Sequence, residues 1–112
     1  MKAILINSID RTVSEVTLKG DSLTALQTAV GGYITVGLDL PNGDTLYVDD
    51  EGLLKGNVTF FEVKNAHQPF AGNGVIVNTT KEGESAPVKS SLEDIKARIS
   101  FTDIYELRKK YA

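Results

Sequence analysis

Four consecutive residues, Pro41-Asn42-Gly43-Asp44, constrain this chain more than any other stretch of it. Asn-Gly supplies the positive backbone φ of a tight turn, and Pro41 sets φ at its entry. The β-compatible runs Tyr33–Leu40 and Thr45–Val48 lie on either side, so the segment predicts a β-hairpin. A second hairpin is predicted upstream. Residues Lys2 to Asn7 are mostly apolar and β-compatible, Val13 to Leu18 alternate, and Ile9-Asp10-Arg11-Thr12 has turn composition. Between the hairpins, Gly20-Asp21-Ser22 offers a stop and an N-cap, after which Leu23, Leu26, Ala29 and Val30 recur at helical spacing. A short amphipathic helix is expected from about Ser22 to Val30, ended by Gly31-Gly32.

The remaining chain is read the same way. Val58–Val63 is a strand, residues Asn65 to Phe70 a loop, and Val75-Ile76-Val77 a short buried strand entered through Gly72-Asn73-Gly74. Leu53-Leu54 suggests one helical turn. Residues 81–88, Lys-Glu-Gly-Glu-Ser-Ala-Pro-Val, carry few anchors and are expected to form a mobile loop. From 90 to 111 the chain reads as helical: Ser90 and Ser91 stand three residues before Glu93 and Asp94, and Leu92, Ile95 and Ile99 follow at helical spacing. Ser100-Phe101-Thr102-Asp103 looks like a break, after which Ile104, Leu107 and Tyr111 repeat the stripe. At 112 residues the chain has room for one domain, which buries about two thirds of its unfolded surface without metal or disulfide staples. The expected fold is a single α+β domain over 1–112. Its mainly antiparallel sheet has about five to six strands, with one short helix after the first hairpin and helical segments at the C-terminal end.

Charge and composition remove several classes of function. Lys plus Arg number 12 and acids 15, a net charge of −3, which is too balanced for a basic nucleic-acid binder. No apolar run approaches the roughly 20 residues of a membrane span. The absence of Cys removes thiol nucleophiles and Cys-ligated zinc, and is compatible with a reducing cytoplasm. The opening Met-Lys-Ala-Ile-Leu-Ile is too short in apolar residues for a signal peptide.

Candidate chemistry is sparse. Asp49-Asp50-Glu51 could bind a divalent cation through carboxylate oxygens, with Asp39 and Asp44 as further ligands. Five strand steps put Asp44 roughly 16 Å from Asp49, which argues against one combined site. The run also lacks the alternating spacing of a calcium loop. His67 is the only imidazole, and no partner for acid–base work adjoins it in sequence. No Gly-x-Ser-x-Gly elbow is present. Gly72-Asn73-Gly74 leads into a strand rather than a helix and reads as a turn, not a phosphate loop. Arg108-Lys109-Lys110 fits a solvated helix end better than a nucleic-acid grip. Phe60 and Phe61 must face opposite sides of their strand, so one of them needs cover from a helix, a loop or a partner chain.

Several stretches in order, Met1–Asn7, Leu23–Gln27 with Val30–Ile34, Val48–Leu54 and Gly72–Val77, resemble a family of small proteins of phages, plasmids and other mobile elements classed as a domain of unknown function. Together they cover about the first 78 residues. Members usually carry a Pro after the opening strand, where this chain has Ser8. The resemblance implies origin and fold more than activity, and it supplies no catalytic residue, metal ligand or cofactor. It implies an accessory role in the cytoplasm of a bacterial host. The expected activity is non-enzymatic, the binding and sequestering of a host defence protein or a small signalling molecule, with a homodimer as the default assembly. Surfaces around Tyr47, Asp49, Phe61, His67 and Asn73 are the candidates for that contact. The alternatives are a small metal-dependent hydrolase or nuclease using Asp49, Asp50 and Glu51, and a nucleic-acid mimic or binder.

Overall fold

The Pro-Asn-Gly-Asp turn joins β3 (Ile34–Asp39) to β4 (Asp44–Asp49), and the upstream hairpin is β1 (Lys2–Asn7) with β2 (Thr12–Thr17). The computed structural model of the chain describes residues 1–19, 22–52, 55, 56, 58–66 and 68–111, the side chains of Ser22 and Tyr111 excepted. The helical turn expected at Leu53-Leu54 lies outside the described residues. The expected helix is α1 (Ser22–Val30), closed by Gly31 at φ 92, with Gly31 and Gly32 N–H both donating to the Gln27 carbonyl. Left-handed backbone at Gly31 is the state glycine adopts without steric cost.

The two hairpins do not pair with each other. β7 (Gly74–Thr79) inserts between β1 and β4, antiparallel to both, so the sheet runs β2-β1-β7-β4-β3. The apolar run Val75-Ile76-Val77 thus occupies the centre of the sheet, where both faces are buried. β8 (Ser85–Ala86) adds to β7 at Asn78 and Thr79, and the Val88 N–H continues this lane by donating to the Lys2 carbonyl at 3.0 Å. Residues 81–88, expected to be a loop without anchors, are tied down: the 80–84 turn closes through Thr80 N–H to Glu84 and Gly83 N–H to Thr80, and Val88 is buried.

A second, three-stranded sheet consists of β6 (Phe70–Ala71), β5 (Thr59–Val63) and β9 (Ile99–Asp103). Here two expectations are corrected. Phe70 ends no loop but begins a short strand, and its ring lies 5.4 Å from that of Phe61. The break at Ser100–Asp103 is a strand paired along all of β5, so helix ends at Arg98 (α2, Leu92–Arg98) and resumes as α3 (Ile104–Tyr111). Ile99 therefore belongs to the strand. Ser91, not Ser90, caps α2, its hydroxyl accepting from the Asp94 N–H at 3.1 Å.

The layers follow from alternation along the strands. Val75 and Val77 face α1 and meet Leu26 and Val30, whereas Ile4, Ile6, Leu46 and Ile76 face the second sheet and meet Phe61, Val63, Phe70 and Ile95 of α2. Gly74 lies on this second face because a Cβ there would stand 2.8 Å from the Phe61 ring and 2.9 Å from Leu46. Phe60 points the other way, onto Leu107 and Ile104 of α3. The cover that Phe60 needs thus comes from the chain's own helix. No helix among the described residues is long and apolar enough to cross a membrane.

Candidate functional site

The acidic candidates sit at the two ends of β4, and their neighbours give them different roles. Asp44, at the turn, is fully buried. Its Oδ1 accepts from Asn78 Nδ2 at 2.9 Å and Lys89 N–H at 3.0 Å. Its Oδ2 accepts from the Ser90 hydroxyl at 2.6 Å, Ser90 N–H at 2.7 Å and Asn42 Nδ2 at 3.2 Å. Burial pushes this carboxyl up, but the hydrogen bonds from Ser90, Lys89 and Asn78 outweigh it and hold its pKa below the ordinary 3.8. With both oxygens surrounded by N–H and O–H donors, Asp44 is a clasp that fastens the segment before α2 onto the β3–β4 turn. It is unsuited to hold a cation.

Asp49, at the far end, turns back on its own loop. Oδ1 accepts from the Glu51 N–H at 2.9 Å, and Oδ2 pairs with Lys55 Nζ at 2.7 Å. Lys55 also donates to the Gly31 carbonyl at 3.1 Å, so one ammonium joins the end of β4 to the C-terminus of α1. That position suits a cation, because unsatisfied carbonyls give a helix C-terminus partial negative charge. A Cβ at Gly32 would meet Lys55 Nζ, the tip of a flexible side chain that can shift. Asp50 and Glu51 are exposed. The three acids do not converge, and among the described residues no three acidic or imidazole side chains come close enough to share a metal ion.

The five residues expected to form a contact surface are scattered. Tyr47 and Asp49 lie on the α1 side of β4. Phe61 is 0% exposed in the core and presents nothing to a partner, because β5 turns it toward β7 and Phe60 toward α3. Asn73 is half-buried at the entry to β7, where its Oδ1 accepts from the Ser8 N–H at 3.1 Å. That bond joins two turns and leaves Gly72-Asn73-Gly74 in a structural role. His67 lies outside the described residues. In the basic run, Lys109 pairs with Glu106 at 3.7 Å and Lys110 with Glu62 at 3.0 Å.

Hydrophobicity on the surface gives a better guide than the acids. Among the described residues, the large exposed apolar side chains fall into two groups: Leu23, Tyr33 and Val36 around α1 and β3, and Ile9, Val58 and Tyr105 elsewhere. Two open grooves flank α1. One, of about 440 Å³, runs over Leu23, Leu26, Ile34 and Tyr47 to the 83–85 turn. The other, of about 460 Å³, lies between Thr24, Gln27 and Thr28 on the helix and Tyr33, Glu51 and Lys55. Sequence patterning missed Leu23 and Val36 as surface groups, since an apolar residue in an amphipathic helix or an edge strand reads as core. A polar groove of about 640 Å³ opens on the other side between Arg11, Glu62, Asp103 and α3, and is laced by the Arg11–Asp103 and Lys110–Glu62 ion pairs. No curated protein and no solved structure matches the chain, whereas the family model described as Domain of unknown function (DUF3846) matches residues 1–100, and the chain belongs to that family.

Proposed function

We propose that this chain is a non-enzymatic binding protein, an accessory of a phage or other mobile element. In this reading it sequesters a host defence protein or a small signalling molecule on the α1 side of its larger sheet. The observation that carries this reading is the mismatch between that sheet face and its cover. α1 packs on β4, β7 and β3 and leaves an open groove on either side. Leu23 and Tyr33, 55% and 68% exposed, border the grooves that result. An aromatic and aliphatic rim beside Thr24, Gln27, Thr28, Glu51 and Lys55 combines apolar area with a few directional polar groups, the composition of recognition sites. The mobile-element origin is supported by the sequence resemblance alone.

The test is native mass spectrometry of the protein purified from a bacterial host, with denaturation to release and identify any bound mass. A bound species present on the wild type and absent from Leu23→Glu supports the reading. A wild type that carries neither small molecule nor protein, or a bound mass unchanged by Leu23→Glu, overturns it.

A further inference from the structure

We infer that β3 is the interface of a two-fold symmetric dimer, in which two copies join edge to edge around Thr35 and extend the larger sheet across both. The inference goes beyond the binding role above and does not depend on it. β3 is the last strand of its sheet, and Val36 on it is 52% exposed. Such an edge is a template for pairing where no bulge or charge blunts it, and residues 33–36, before the bulge at Gly37, carry no charge. The phase of the ladder defines what this edge offers. Asp50 N–H donates to the Tyr33 carbonyl, and Ile34 pairs with Asp49, Thr35 with Val48 and Val36 with Tyr47. Hydrogen bonding alternates along an antiparallel pair. Residues 33 and 35 therefore turn their N–H and C=O toward β4, while Ile34 and Val36 turn theirs outward. At Gly37 a bulge shifts the register, and the alternation starts again at Leu38.

Only one antiparallel self-pairing uses both outward residues. It sets Ile34 against the partner's Val36 and Val36 against the partner's Ile34, with Thr35 facing the partner's Thr35 on the axis. A one-step shift toward the bulge would match Ile34 with the partner's Leu38, whose groups face β4. In the favoured register the rest of the surface is complementary. Ile34 and Val36 share the α1 face with Tyr47, so the two copies put four branched apolar side chains side by side. Counted through the bulge, Asp39 falls opposite the partner's Gly32, and Lys55 Nζ lies against that glycine in each chain. An exposed carboxylate thus approaches an ammonium on the same sheet face, twice by symmetry. The partner's Asp39 then stands at the rim of the groove between Tyr33 and Lys55.

The chain has no cysteine, so a single introduced thiol reports the register. Thr35 and the partner's Thr35 form a non-hydrogen-bonded pair with Cα atoms about 4.5 Å apart, within the span of a disulfide. Under mild oxidation at about 10 μM, Thr35→Cys is expected to cross-link about 100-fold faster than Thr17→Cys on the opposite edge, because pairing raises the effective thiol concentration to the millimolar range. Sedimentation equilibrium of the wild type is expected to approach twice the 12.1 kDa chain mass. Val36→Lys is expected to raise the dimer dissociation constant about 100-fold by placing a charge in the apolar strip. The inference is overturned by a wild type that stays at the chain mass up to about 200 μM, well above ordinary interface affinities. It is equally overturned if Thr35→Cys cross-links no faster than Thr17→Cys.

Discussion

The two ends of β4 carry an aspartate each, five residues apart, and the protein holds them by opposite means. Asp44 has no counter-ion among the described residues and is held by amides, a hydroxyl and backbone N–H groups. Asp49 is paired with a lysine whose side chain is 40% exposed. A buried charge can thus be stabilised by oriented dipoles alone when every lone pair is met, and such a site is insulated from salt. The ion pair at the other end reaches water through the lysine, while the Asp49 side chain is only 6% exposed, so salt and solvent act on it from one side. One end of the strand is fixed in the fold, and the other borders the grooves and the free edge.

The largest test of this contrast is Asp44→Ala. Removal of the acceptor leaves the Ser90, Lys89 and Asn78 donors unmet, with an expected loss of about 3 kcal/mol in urea unfolding. The second test is pH. Because the folded carboxyl titrates below its ordinary 3.8, its contribution is complete above that value and is lost as pH falls through the folded pKa. Between about pH 5 and about pH 2, the wild type should therefore lose more stability than Asp44→Asn, which has no carboxyl to protonate there. The smallest effect belongs to Lys55→Met, about 1 kcal/mol at low salt because Asp49 keeps its bond from the Glu51 N–H, and it shrinks in about 1 M NaCl. A Lys55→Met loss equal to that of Asp44→Ala, or insensitive to salt, would erase the distinction between the two ends.

The same strand explains how far the sequence could be read. Pro41-Asn42-Gly43 announced the turn because its information is local: Gly43 has φ 89, and Asn42 Oδ1 accepts from the Asp44 N–H. The burial of Asp44 was invisible because most of its donors lie 34 to 46 residues away in sequence, on Asn78, Lys89 and Ser90. β9 was missed for another reason. Ile99 continues the helical spacing of Leu92 and Ile95, and the hydrogen bonds that make it a strand come from β5. Phe60 and Phe61 could be assigned to opposite faces by alternation alone, but not to their covers, which are α3 and the main core. Of the residues considered for the site, Asp49 was legible as an acid near a loop. Its partner Lys55 and the exposure of Leu23 and Val36 depend on where a short helix lands on a wider sheet.

The position of β7 governs how the molecule assembles in time. Both hairpins are local, and each can form within microseconds, but neither has a neighbour in the sheet until residues 74–79 slide between them. The central strand is therefore the late arrival, and it brings the 85–90 segment that fastens onto Asp44. A chain stopped short of Thr79 on the ribosome would hold two hairpins with bare inner edges, a state open to mispairing. Cooperative folding thus awaits synthesis of the second half, and its rate is expected to follow the long loop that β7 closes rather than the quick turns at Asn42-Gly43 and Arg11.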